Sequence, residues 1–511
     1  MRGTIAIALA VTLCACAGSG SKQHAAHVLR IADLSDPSSL NPLLAHDQDT
    51  IGYDLLICQT LIGLDERNRL VPVLVTRIPS RANGDVSADG RRIVYHLRRG
   101  IRFADGVPLS SADVAFTYRA IMDSRNPVLS QDAYRRIASL ETPDAHTVII
   151  RLKRRWNAAV SDLFAQSDFA FGILPAHAFS STQLQRARWE DRAFGTGPFR
   201  VGQWRRGDEI VLERNPYFQP TPKLDSVILR MIPDMNSALL ALKTHEVDVA
   251  RVLPEHLADI EGDRSVRLLG TPENATEWLS LQLSRGPTRE LRIRRAIAHA
   301  VDLVQLRKAF EDAFPIAASF LPPGLAAHDP SIQPYPHDVR RARTFAGPKP
   351  IAAVLVTTSG NPLLARLATI VQQQLAAAGI QVTIKTFPVS VFNAPSGPVR
   401  NARFTISIDG WLGGADPEQS IVFSCAQATV NGSNISRYCD PRFERLFADQ
   451  QTTADPIRRK RDFIAMQALI HQALPVVPIY YETYFDGINN RLTGFKRNML
   501  RYPVSPESWQ L

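Results

Sequence analysis

Residues 351–387 read IAAVLVTTSGNPLLARLATIVQQQLAAAGIQVTIKTF, and this stretch decides the fold class. Ile351 to Val356 is a short apolar run with β-branched members, the composition of a buried strand. Leu364, Leu367, Val371 and Leu375 then recur at helical spacing and share one face. Gly379 follows as the stop, because glycine tolerates the left-handed backbone that ends a helix. Ile380 to Phe387 returns as a strand. A strand, a helix and a second strand of these lengths make a parallel pair joined by a right-handed crossover. The fold class is therefore α/β.

The pattern extends in both directions. Downstream, Asp440-Pro441 is a helix start, with Asp at the N-cap and Pro at the first helical position. Phe463 to Ala473 reads as a helix broken by Pro475, and Val476 to Tyr480 as a strand. Upstream, Thr288 opens a helix with Ile293, Ile297, Ala300, Val301 and Val304 on one face and its arginines mostly on the others. Ile210 to Leu212 and Val227 to Ile232 read as strands, and Ala238 to Leu242 as a short helix before Val247. In the first third, Val28 to Leu34 is strand-like. Asp85 to Phe103 reads as a meander turning at Asp89-Gly90, with Ile93, Tyr95 and Leu97 alternating. Ser110 to Asp113 forms a capping box ahead of Val114, Tyr118 and Ile121. With 511 residues the chain is long enough for two or three domains. Two lobes with a cleft between them are expected, and such clefts are where small ligands bind.

The N-terminus points to export. Arg2 precedes an apolar run from Ile5 to Leu13, too short for the ~20 residues that cross a bilayer, so it reads as a signal-peptide core. Leu13-Cys14-Ala15-Cys16 resembles the lipobox of bacterial lipoproteins, which would make Cys16 the lipidated first residue. An ordinary signal peptide cut nearby is the alternative. Ala17 to Lys22 has flexible-linker composition. The formal net charge is +10, with basic clusters at Arg151 to Arg155 and Arg458 to Arg461. Export removes nucleic acid as a partner, and these clusters read as solvated faces. Cys58 sits in an apolar run and reads as a buried free thiol. Cys425 and Cys439 lie close together in an exported chain, where a disulfide persists.

Several blocks together resemble the family 5 extracellular solute-binding proteins, the peptide- and nickel-type receptors of ABC importers. They are Ser87 to Gly106, Ser111 to Val114, Gly195 to Phe199 with Glu213 to Tyr217, Arg292 to Ile297 with Val301-Asp302, Gln373 to Ile380, and Pro475 to Tyr480. The resemblance runs in order over about 400 residues. It implies the two-lobed class II periplasmic binding protein fold, with hinge strands and an extra subdomain in lobe one. Residues 1–15 would be the signal peptide and 16–27 the linker. Lobe one would comprise 28–275 and 480–511, with its subdomain at about 60–190, and lobe two 276–479. Phe423-Ser424-Cys425 and Asn431 to Cys439 are similar to the disulfide-closed loop of dipeptide receptors, which implies a Cys425–Cys439 bridge and favours a peptide.

One departure bears on the ligand. Peptide receptors of the family carry an aspartate shortly after a Gly-Trp, and it pairs with the peptide's amino terminus. Here Gly410-Trp411 is followed by Leu412-Gly413-Gly414-Ala415-Asp416-Pro417, about one residue shorter, with glycine where the acid is expected. Asp416 either replaces that carboxylate or caps a turn before Pro417. Trp411 either lines the cleft or packs within lobe two. Asn41 either borders the cleft or shapes the Asn-Pro turn. The candidate ligand-binding residues are thus Trp411, Gly413, Gly414, Asp416 and Asn41.

No nucleophile elbow, zinc-protease helix or phosphate loop is present, so no catalytic residue, metal site or cofactor is assigned. His46-Asp47-Gln48-Asp49 reads as a loop or helix start. The expected function is a monomeric, lipid-anchored receptor of the cell envelope, facing the periplasm or exterior. It would deliver short peptides to an ABC permease and its ATPase. A metal-chelate or haem receptor on the same framework is the alternative, and an envelope sensor or enzyme a weaker one.

Overall fold

The 351–387 stretch folds as its pattern requires. Strands Ile351–Thr358 and Ile380–Phe387 pair in parallel, from Ile351 opposite Ile380 to Thr358 opposite Phe387. Helix Pro362–Ala377 joins them. The Asn361 side chain caps it by accepting from the N–H groups of Leu363 and Leu364. Leu367, Val371 and Leu375 are fully buried, and Gly379 takes the chain out of the helix at φ 83°. The computed structural model describes residues 27–45, 47–167, 169–184, 189 and 193–511. The expected signal peptide, Cys14, Cys16, most of the linker and His46 lie outside the described residues.

These strands sit at one edge of a ten-stranded mixed sheet. From that edge the order is Ile380–Phe387, Ile351–Thr358, Ile406–Leu412, Val266–Leu281, Val476–Asn489, Val249–Arg251, Val28–Asp33, Ser226–Met231, Glu209–Arg214 and Phe199–Arg205. The two long central strands, Val266–Leu281 and Val476–Asn489, run antiparallel, from Val266 opposite Asn489 to Ser280 opposite Val476. Their register shifts between Pro272 and Thr276 and again between Glu277 and Trp278.

Those two strands join separate apolar cores. On one side Leu29, Ile31, Val227, Leu229 and Ile488 pack with Tyr95, Phe103 and Phe164. On the other side Leu279, Leu281, Ile293, Leu355, Leu375 and Ile406 pack together. A third core sets Ile51, Leu55 and Ala170 against Phe320, Phe423, Phe443 and Phe463. The strands are pinned by ions as well. Asp486 is held by Arg497 at 2.8 and 3.1 Å, and buried Glu273 by Arg501. Both arginines come from the C-terminal segment.

Local expectations mostly hold, with instructive exceptions. The capping box at Ser110 and Asp113 forms and starts helix Ser111–Met122. Asp440 caps helix Pro441–Thr452. The meander over 85–103 contains only one strand, Arg92–His96, paired with Thr147–Leu152. Ile93, Tyr95 and Leu97 are buried but so is Val94, and the turn at Asp89-Gly90 closes a single bridge, Val86 to Ile93, while the strand's ladder partner comes from beyond helix Ser111–Met122. The helix expected from Thr288 begins at Leu291 and ends at Ala300. There Asp302 caps a second helix, Leu303–Ala309, which leaves Val304 54% exposed and off the apolar face. Arg294 of the first helix is buried, because its guanidinium satisfies the carbonyls of Thr288, Arg289 and Ala473. Cys58 is a free, buried thiol. Among the described residues no helix is long and apolar enough to cross a membrane.

Candidate functional site

Strand Ile406–Leu412 pairs with the hinge strand Val266–Leu281 so that Trp411 lies opposite Thr276 and Leu412 opposite Ala275. The chain then turns through Gly413 and Gly414. Buried Asn274, on the hinge strand, holds this turn: its carbonyl accepts the Gly413 N–H at 2.9 Å, and its Nδ2 donates to the carbonyls of Gly413 and Gly414. Trp411 is thereby held where the lobes face one another.

A cavity of about 320 Å³, open at its mouth, lies there. Tyr134, Arg136, Trp156, Asp162, Phe169 and Phe171 form one wall, contributed by segment 130–171. Trp411, Gly414, Asp416 and Glu418 line the other, together with Arg400 and the 427–433 loop. That loop is tied back by the Cys425–Cys439 disulfide. The wall is therefore aromatic on one side, polar and loop-built on the other, a combination suited to a small polar solute.

The walls also clasp each other. Trp156 Nε1 donates to Glu418 Oε2 at 2.7 Å, and Gln451 Nε2 donates to Glu418 Oε1 at 2.7 Å. Arg136 lies 3.6 Å from the same carboxylate and its guanidinium sits 4.6 Å from the Trp156 ring. Beside them the Asn157 side chain donates to the carbonyls of Gln450 and Thr453 at 2.7 and 2.9 Å. Burial, and then Asp416 beside it, push the Glu418 carboxyl up to about 7.

Asp416 lines the cavity, but its carboxylate is engaged. Arg459 grips it with two hydrogen bonds of 2.8 and 2.7 Å. Its Oδ1 also accepts the Glu418 N–H at 3.1 Å and caps the turn at Pro417. Arg459 belongs to a cluster expected to be solvated, yet its side chain is only 20% exposed. Gly413 is buried and supports the turn, without a place in the cavity lining. Asn41 is 1% exposed; its side-chain oxygen accepts the Leu43 N–H and its carbonyl the Leu44 N–H. It shapes the turn and is absent from the cavity lining. The aromatic wall has no local sequence signal, since Trp156 follows the basic run Arg151 to Arg155.

Residues 69–432 match the model of the bacterial extracellular solute-binding proteins, family 5. The chain belongs to this family. It is a family of solute-binding receptors that serve ABC importers. A curated relative, the glutathione-binding protein GsiB of Shigella boydii serotype 4, is 27% identical, over 96% of this chain and 95% of that one. Among solved structures, DppA of Helicobacter pylori in complex with peptide STSA superposes with a TM-score of 0.80 at 24% identity, covering 95% of this chain and 98% of that one. NikA of Brucella suis in complex with Fe(III)-EDTA gives 0.85 at 18%, covering 94% and 99%. The two-lobed α/β fold with a large mixed sheet is shared with these proteins.

Proposed function

We propose that this family 5 receptor captures short peptides in the cavity between its lobes and passes them to an ABC permease, anchored outside the membrane by lipid at Cys16. The observation that carries the reading is the cavity itself: an aromatic wall from one lobe faces Trp411 and the disulfide-closed loop of the other. The cavity suits a small solute, and loop groups such as exposed Asn431 and half-buried Ser433 offer hydrogen bonds to a peptide backbone. The likeness to a glutathione-binding relative favours a small peptide-like solute.

In this reading lobe one comprises residues 28–275 and 480–511, with its subdomain at about 60–190, and lobe two 276–479. The change of core between Val266 and Leu279 along one strand supports that division. The protein acts as a monomer that closes on its solute by hinge motion. Transport energy comes from a separate ATPase.

Asp416 does not serve as the partner for a peptide ammonium in this account, because Arg459 neutralises it. A thermal-shift screen of ligand-stripped protein against di- to octapeptides, glutathione, nickel chelates and haem tests the proposal. A solute at ~100 times its dissociation constant stabilises the fold by roughly 2.7 kcal/mol. A shift with peptides is expected; a shift confined to chelates or haem overturns the peptide assignment.

A further inference from the structure

Two basic runs from distant parts of the chain meet on one surface. Helices Pro441–Thr452 and Pro456–Ala473 form a hairpin that turns at Thr453, and Arg155 Nη2 donates to the Thr453 carbonyl at 2.9 Å. Asn157 donates to the same carbonyl, also at 2.9 Å. The run Arg151 to Arg155 therefore lies against the start of the helix that carries Arg458 to Arg461. The 80–92 segment adds Arg81, Arg91 and Arg92 to the first run. Arg92 is paired directly opposite Arg151, Arg91 Nε donates to the Leu152 carbonyl at 3.3 Å, and the Arg155 side chain lies over Gly90.

Few carboxylates balance this face. Arg151 has Glu141 at 2.9 Å, Arg458 has Asp449 at 2.7 Å, and Arg459 is turned inward to Asp416. Among the described residues Lys153, Arg154 and Arg155 have no ion pair, nor do Lys460 and Arg461. The same holds for Arg81, Arg91 and Arg92. Asp89 accepts from Ser87 and from the Arg91 N–H, and Asp455 caps its own helix. Like charges directly opposite on paired strands destabilise a sheet, and Arg92 with Arg151 is such a pair. Burial, and then the charge of Arg81, holds the Arg155 guanidinium below its ordinary range. Cations gathered against their own repulsion point to an anionic surface outside the chain.

A single side chain selects the kind of surface. Ile457, between Pro456 and Arg458, is 71% exposed, the most exposed large apolar side chain among the described residues. A cationic face with an apolar side chain among its cations suits a membrane, where the cations meet headgroup phosphates and the apolar group enters the interface. Arg91, Arg92 and Arg151 also line a groove of about 430 Å³, wide enough for a headgroup phosphate. None of these cations lines the cavity. We propose that this face rests on anionic phospholipid headgroups and sets how the folded body sits at the membrane, whichever solute the cavity takes.

The test is co-sedimentation of the mature chain carrying Cys16→Ser, which cannot be acylated, with two kinds of vesicle: phosphatidylcholine alone, and an equal mixture of phosphatidylcholine and phosphatidylglycerol. A strong preference for the mixture, weakening as salt is raised, is expected. Each cation near such a surface contributes roughly fivefold, so the triple variant Arg154→Gln, Lys460→Gln, Arg461→Gln should bind roughly a hundredfold more weakly. A control triple, Lys349→Gln, Arg366→Gln, Lys385→Gln, removes the same charge from exposed positions in and beside the strand–helix–strand unit at the sheet edge, and should bind as the parent does. Ile457→Ser should lower binding to the mixture roughly tenfold and leave its salt dependence unchanged. Equal weakening by the two triples overturns the face in favour of net charge alone. The vesicle comparison on the parent decides the lipid assignment without any variant. Equal binding to both vesicles overturns it, and binding to neither overturns it and leaves an acidic protein face as the occupant.

Discussion

Replacing Trp156 by Phe removes one hydrogen bond between the two walls of the cavity. The indole N–H donates to Glu418 at 2.7 Å across the cavity. Phenylalanine keeps an aromatic face for Arg136, now 4.6 Å from the indole ring, and loses only the donor. A hydrogen bond to this carboxyl, which burial pushes up to about 7, contributes roughly 1–3 kcal/mol. Glu418 retains Gln451 at 2.7 Å, so the lower part of that range applies. In the proposed hinge motion opening separates Trp156 from Glu418, so the loss falls on the closed form. Solute affinity scales with the stability of the closed form. The dissociation constant should therefore rise roughly tenfold, since about 1.4 kcal/mol is one decade. Calorimetric titration gives that constant, and urea unfolding of the ligand-free protein gives the global stability. Unchanged affinity would refute the clasp. A weakened affinity matched by an equal loss of ligand-free stability would refute its placement between the lobes.

Three further outcomes follow from buried charges and covalent ties. Asp416→Asn strips the two-bonded carboxylate from half-buried Arg459, which keeps Gln450, so urea unfolding should show a loss of about 1–3 kcal/mol, while the affinity ratio for free-amine and acetylated peptides stays constant; a changed ratio would show that Asp416 reads the ligand. Asp409 accepts from Trp278 Nε1 at 2.6 Å and Ser280 Oγ at 2.7 Å, and burial, opposed by these bonds, pushes its carboxyl up to about 7. The folded protein keeps that proton where the unfolded chain has released it near pH ~4, so the stability it confers is full below ~4 and lost as pH rises towards 7. Asp409→Asn retains an acceptor and cannot ionise, so its stability relative to wild type should grow by up to roughly 4 kcal/mol between pH 4 and 7; a difference independent of pH contradicts the assignment. Cys425→Ser with Cys439→Ser opens a loop of sequence separation 14 and should cost about 3 kcal/mol, seen as an unfolding midpoint that no longer responds to reductant.

The architecture was legible where periodicity and end signals coincide. The 351–387 unit shows a strand run, a helical stripe, a cap and a glycine stop in sequence, and each is decided by neighbours within a few residues. The hinge strand Val266–Leu281 hides itself, because Pro272, Glu273, Asn274 and Glu277 break the apolar pattern of a central strand. Those polar residues are tolerated by partners far away in the chain, such as Arg501 for Glu273 and the glycine carbonyls for Asn274. The cavity was half legible. Trp411 and the glycine turn stand out locally, while Trp156, Tyr134 and Phe171 join them only through tertiary packing. Asp416 shows the limit most clearly: its partner Arg459 sits in a basic run that composition alone assigns to solvent.

The central claim is that a short peptide binds between the lobes against Trp411. Calorimetric titration of ligand-stripped wild type and Trp411→Ala with the best peptide from the screen tests it most directly. The account predicts one peptide per chain on wild type and at least roughly tenfold weaker binding by the variant through loss of aromatic area and donor. Equal affinity in the two proteins, or heat only with a metal chelate or haem, would contradict it.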